Sequence, residues 1–316
     1  MDTSPEKKLS RPVRVLSYGG GLDSWTMLLL AVDGKLERPD LVVFADVSNG
    51  SPERDGTDPG EWPGTYRHIR EVAMPLCRAN GIEFKWLTTA ESPIRPTKDN
   101  PTGHASLYGY YRAEKMFFGR LSKTCTSSAK VERIGNYLAG RYGAEAEVEV
   151  WIGFGADEGK RVKQGRYAQK GNRTERYPLM ELGFCRCREE AYAKASGYPV
   201  PRKSACVFCP MSSRADWQTL AREMPETFEA VHLLEVEFKG TKAGKMLTYS
   251  GVDGVELPQH IEKPFNWDRA RENETCACCG SLKATKRTGC DYLCAGTKRP
   301  PQTSQAPQQT SFGWAA

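Results

Sequence analysis

Apolar and polar positions follow a regular succession through the first half of the chain. Arg14-Val15-Leu16-Ser17-Tyr18 is a short β-prone run that meets three glycines and then a helix-forming stretch, Leu22 to Leu30. Leu41-Val42-Val43-Phe44-Ala45-Asp46 is an unbroken apolar run ending on an acid, the pattern of a strand buried on both faces. Between Thr65 and Asn80, Tyr66, Ile69, Val72, Ala73, Leu76 and Cys77 recur at helical spacing, and Asn80-Gly81 closes the run. Ile82 to Leu87 predicts a further strand, Val131 to Tyr142 a helix, Glu147 to Phe154 another strand and Pro225 to Phe238 a helix. Strands alternating with helices predict an α/β fold with a doubly wound parallel sheet and ligands at the carboxyl ends of the strands.

The segments between these elements are polar. Ser92 to Ser106 is rich in Pro, Thr, Asn and Gly and predicts a mobile loop near the site; Gly159 to Arg176 predicts a basic loop. Lys239 to Trp267 is mixed in character, Thr275 to Cys294 is a compact cysteine cluster, and Thr297 to Ala316 is rich in Pro, Gln, Ser and Thr. These shifts divide the chain into a nucleotide-binding unit at 12–238, a linker at 239–270, a small cysteine-rich metal ribbon at 271–296 and a disordered tail at 297–316.

Composition narrows the class. A hydrophobic fraction of 39% and 10% aromatics suit a globular protein of 316 residues. No apolar run has the length of a membrane span, and the N-terminus lacks a secretory pattern, so a cytoplasmic protein without membrane contact is expected. Net charge +6 suits anionic substrates but is too small to argue for nucleic acid by itself. Eleven cysteines in a reducing compartment read as metal ligands or redox groups rather than structural disulfides.

The chemistry concentrates at Ser17 to Ser24. Three glycines between a strand and a helix let the backbone approach an anion, and the helix N-terminus presents unpaired N–H groups and partial positive charge. Ser17, Gly19, Gly20, Gly21 and Ser24 thus form a predicted phosphate cradle, with Asp23 beside it as the acid that would manage a Mg²⁺ ion. A Walker A loop is set aside because no Lys precedes the Ser. A dinucleotide loop lacks its third small residue but has Asp46 in place for a ribose. A pyrophosphatase loop, Ser-Gly-Gly-x-Asp-Ser, is matched at all places but the first, where Gly19 stands.

Cys206-Val207-Phe208-Cys209 has the spacing of one metal or cluster edge, with Cys125 and Cys187 upstream. Four thiolates from these positions would ligate a [4Fe–4S] cluster or Zn²⁺; a redox pair at 206/209 is the rival. Cys276, Cys279, Cys290 and Cys294 have the spacing of a zinc ribbon, with Lys283, Lys286 and Arg287 between them for nucleic-acid contact. Asp157 and Arg161, after the Glu147–Phe154 strand, and Lys130, at a helix start, are further candidates for nucleotide contact, Arg161 as a bidentate phosphate clamp.

These pieces together resemble the PAPS reductase-like branch of the PP-loop ATP pyrophosphatase superfamily. The likeness rests on Gly19 to Ser24, Phe44-Ala45-Asp46, Glu61 to Tyr66, Thr124-Cys125-Thr126 with Lys130, Ile152 to Arg161, Tyr177-Pro178-Leu179 and Lys203 to Pro210. It implies an adenine nucleotide alpha hydrolase-like fold, an ATP or PAPS substrate, catalytic roles for Asp23 and Ser24, and a [4Fe–4S] cluster. In cluster-bearing members a Cys-Cys pair contributes two ligands. Here Thr126 replaces the second, and Cys187 is the substitute, with Cys185 as the spare. The chain has Cys278-Cys279-Gly280-Ser281-Leu282 in place of a Glu-Cys-Gly-x-His tail, so simple PAPS reduction is not implied. The expected function is nucleotide-dependent sulfur transfer or reduction, with a tRNA or DNA acceptor open. The alternative is a non-catalytic nucleotide- or nucleic-acid-binding module with structural zinc sites.

Overall fold

The computed structural model describes residues 11–96, 98, 100–115, 124–159, 162, 172–238 and 256–262. Among these, β1 (Val13–Ser17) leads through the glycine turn into α1 (Leu22–Val32), followed by β2 (Leu41–Ala45). A long helical segment comes next, built of α2 (Pro63–His68), a π turn (Ile69–Ala73) and α3 (Met74–Ala79). Pro75 is the second residue after the π turn, where the widened ladder accommodates a residue that cannot donate. Then follow β3 (Glu83–Leu87), α4 (Leu107–Glu114), α5 (Thr124–Thr126), a second π turn (Ser127–Val131) and α6 (Glu132–Tyr142). β4 (Val148–Trp151), a 3₁₀ turn (Ala156–Glu158), β5 (Arg173–Arg176), α7 (Pro178–Glu181) and α8 (Arg186–Ala195) complete the sheet region. The remaining helices are α9 (Arg214–Glu223), α10 (Pro225–Glu237) and α11 (Leu257–Glu262).

All strand pairs are parallel, in the order β3-β2-β1-β4-β5. Strand chemistry follows position. β2 lies inside the sheet and all five residues are buried, as its continuous apolar run requires. The edges are β3 and β5, whose charged Glu83, Lys85, Arg173 and Arg176 guard against further pairing. Alternation along β1 and β2 sends Val13, Val15, Leu41 and Val43 to one face, where Ile134 and Leu138 of α6 cover them. Leu16, Val42 and Phe44 face the other way and pack with α1, α3 and Ala193 of α8. Helices on both faces make the sheet doubly wound, as predicted.

Two expectations needed correction. Arg173–Arg176 is a strand within the stretch read as a basic loop; its Arg-Thr-Glu-Arg sequence carries no apolar signal because an edge strand does not require one. Residues 256–262, inside the stretch read as a linker, form α11, which packs on α9 and α10 with Leu257 and His260 buried. A third apolar cluster joins α4, α9, α10 and α11 around Trp62, Phe208 and Trp217, and the Cys125 and Cys206 side chains pack against it. Among the described residues no helix is long and apolar enough to cross a membrane.

Candidate functional site at the sheet switch point

The strand order reverses between β1 and β4, the place where doubly wound sheets leave a crevice at their carboxyl ends. A pocket of about 200 Å³ lies there. The glycine turn supplies Ser17, Gly19, Gly21, Asp23 and Ser24 to its wall; Thr126, Lys130, Val131 and Ile134 come from the second π turn and its flanking helices. Val150, Ile152, Gly153 and Phe154 form the β4 side, Arg173 and Glu175 the β5 side, and Ser204 a further edge. Six of the predicted nucleotide ligands therefore meet in one cavity: Ser17, Gly19, Gly21, Asp23, Ser24 and Lys130.

Gly20 belongs to the turn without lining the pocket. Its φ is +73°, and a Cβ there would stand 2.6 Å from Thr65 Cγ2 and 3.2 Å from Ile69 Cδ1. Only glycine satisfies both the left-handed backbone and the contact with α2. Gly153 is required by proximity: a Cβ would lie 2.9 Å from Asp23 Cβ, so the β4 exit presses directly on the first turn of α1. The α1 N-terminus has no side-chain cap, and Ser24 Oγ donates to Gly21 O at 3.1 Å. An uncapped helix start facing a cavity offers its N–H groups to an anion.

Asp46 departs from its expected role. It is fully buried; Oδ1 accepts from Ser48 N at 2.9 Å and Tyr66 OH at 2.8 Å, and Oδ2 from Trp86 Nε1 at 3.1 Å. Its position after β2 suggested a ribose ligand, but its side chain ties the strand end to α2 and β3. Asp157 is also buried rather than on the pocket wall, and burial raises its pKa, with Asp23 adding to the shift. It joins a group formed by Asp23, Arg186 and Glu189, in which Arg186 Nη1 donates to Asp23 Oδ1 at 2.7 Å. Arg161, Cys276, Cys279, Cys290 and Cys294 lie outside the described residues.

Lys130 connects the pocket to the cysteines. Its Nζ pairs with Glu61 Oε1 at 2.6 Å, and the Glu61 side chain is wholly buried. Burial lowers the Lys130 pKa, but Glu61, Cys206 and Cys125 outweigh it and the net shift is upward. Cys125, Cys206 and Cys209 lie near enough to act on one another electrostatically. Burial, then Glu61, pushes the Cys206 thiol well up; burial pushes Cys209 up to about 11. Cys187 sits on α8, which packs on α1, and Cys185 is buried at that helix's N-cap. The four-thiolate centre expected from 125, 187, 206 and 209 is therefore not assembled: among the described residues, no three His, Cys, Asp or Glu side chains are placed to hold a metal ion.

Sequence reasoning missed Arg173, Glu175, Ser204, Arg186 and Glu189 as parts of this region. Arg173 and Glu175 were hidden in a stretch without apolar pattern. Arg186 and Glu189 carry an i, i+3 spacing that marks one helix face but not which neighbour that face meets.

Fold and site define a doubly wound parallel α/β protein with a glycine turn and an uncapped helix start at its switch point. No protein-family profile and no curated protein sequence matches the chain. Among solved structures it is similar to the PAPS reductase from Candida auris in its phosphate complex, with TM-score 0.36 and 14% identity over 61% of this chain and 76% of that one. It is also similar to the U34-tRNA thiolase NcsA from Methanococcus maripaludis with its [4Fe-4S] cluster, with TM-score 0.37 and 14% identity over 74% of each chain.

Proposed function

We propose that the protein is a PP-loop, PAPS reductase-like enzyme that binds ATP or PAPS at the glycine turn and couples its breakdown to sulfur chemistry. The observation that carries this reading is the position of Lys130. It lines the pocket while lying within electrostatic reach of Cys125 and Cys206. The phosphates would enter against the uncapped α1 N-terminus, the glycine N–H groups and Ser24, with Lys130 as a point charge. Arg173 and Glu175 would meet the other end of the nucleotide.

With ATP, breaking the α–β bond would release pyrophosphate and leave an adenylated acceptor for a sulfur nucleophile. With PAPS, release of sulfite would take two electrons, which two thiols passing to a disulfide can supply. Either route needs a thiolate, yet burial holds Cys206 and Cys209 protonated at neutral pH. Glu61 is the adjacent base: its Oε2 is buried without a hydrogen-bond partner, while Oε1 is held by Lys130. The four expected thiols are not brought together among the described residues, so no step is assigned to a cluster or to zinc. A tRNA base or DNA backbone as sulfur acceptor would draw on the basic C-terminal segment containing Lys283, Lys286 and Arg287.

Product analysis tests the reading. ATP should yield AMP and pyrophosphate, or PAPS should yield adenosine 3′,5′-bisphosphate and sulfite. Ser24→Ala should abolish either reaction while the thermal unfolding midpoint stays put. Binding of both nucleotides with turnover of neither would favour the non-catalytic module.

A further inference from the structure

The loop acid Asp23 is where the sequence places a divalent cation, but the fold places Arg186 there. Arg186 stands in the first turn of α8, the helix that packs along α1, and its Nη1 meets Asp23 Oδ1 at 2.7 Å. Its Nε is buried without a hydrogen-bond partner, so the guanidinium keeps a donor beyond the pair. Two more carboxyls close the group: Asp157, 5% exposed, and Glu189, 1% exposed. Arg186 Nη1 also stands 4.0 Å from Glu189 Oε2, so one guanidinium faces both the loop acid and its buried neighbour. A divalent ion at Asp23 would have to displace Arg186. The Arg186–Asp23 contact instead supplies the neutralisation internally.

We propose that Arg186 is the resident cation of the glycine turn: it neutralises Asp23 and admits a nucleotide's phosphates without a divalent ion at that carboxylate. The proposal rests on the reading that phosphates occupy the turn, and its first test is independent of any nucleotide. Mn²⁺ is titrated into the full chain and the free ion followed by electron paramagnetic resonance. Wild type should leave Mn²⁺ free at stoichiometric concentration, Arg186→Ala should bind it, and Arg186→Lys should not. Stoichiometric binding by wild type overturns the proposal. So does failure of a folded Arg186→Ala protein, checked by circular dichroism, to bind Mn²⁺. If that variant does not fold, Arg186→Gln takes its place in the same titration.

Calorimetry with ATP in EDTA and in Mg²⁺ gives the second readout. Wild-type affinities should agree within about twofold, while Arg186→Ala should weaken at least about tenfold in EDTA and recover with Mg²⁺. ATP binding by wild type only in Mg²⁺ contradicts the proposal. Absence of ATP binding in both conditions counts against the nucleotide reading and leaves the Mn²⁺ result to decide the role of Arg186.

Discussion

Gly20 shows how one residue fixes the site. Its positive φ and its contact with Thr65 are separate demands, and alanine fails both. Gly20→Ala should cost about 1–3 kcal/mol and weaken nucleotide binding, because the strain is relieved only by moving the turn. At Gly19 the nearest atom to a new Cβ is Ser204 Oγ at 3.9 Å, so Gly19→Ala should unfold like wild type. Urea titration of the two variants checks the contrast, and equal losses would remove the conformational argument. Glu189 makes a pH-dependent prediction. Its folded-state pKa is raised, so the stability it contributes is full below about pH 4.3, where the unfolded chain also holds the proton, and declines as pH rises beyond that. Asp23, Asp157 and Arg186 surround it, and Glu189→Gln keeps the neutral shape without the titration. The variant should therefore gain on wild type between pH 5 and pH 8 in denaturant midpoints. A gap that does not change with pH would mean that Glu189 is already ionised in the fold.

At the scale of elements, the strands with apolar runs were legible and β5 was not. β1, β2 and β4 sit inside the sheet and bury most of their residues; β5 closes one edge and is bonded on one side only. The helical period from Tyr66 to Cys77 was legible too, but periodicity does not reveal the π turn that carries it past Pro75. α11 escaped because six residues give too little period to read, and its partners lie some twenty to forty positions upstream. Leu257 is fully buried, Leu257 N donates to Glu235 Oε2 at 2.7 Å, and Gln218 Nε2 donates to Ile261 O at 2.8 Å. Leu257→Ala should accordingly cost about 2–5 kcal/mol, the range for a large-to-small change in a packed core. Truncation after residue 270 should be tolerated, whereas truncation after residue 250 should lower the thermal midpoint by exposing the face of α9 and α10. Identical midpoints for the two truncations would make α11 dispensable.

Across the molecule, the glycine turn was legible because its chemistry lies within eight consecutive residues. The rest of the site was not, because strand order brings together residues more than one hundred positions apart: Lys130, Gly153 and Arg173 meet Asp23 only once β4 lies beside β1. The direction of the Asp46 side chain was not legible for the converse reason, since adjacency to a strand end does not say whether it turns toward solvent or toward Tyr66 and Trp86. The central claim is that an adenine nucleotide occupies the switch-point pocket. Hydrogen–deuterium exchange of the full chain with and without ATP or PAPS tests it most directly. The account predicts slowed exchange at residues 17–25, 126–134, 150–154 and 173–175 together, the segments that wall the cavity. Protection confined to other segments, with these four unchanged under saturating nucleotide, would contradict it.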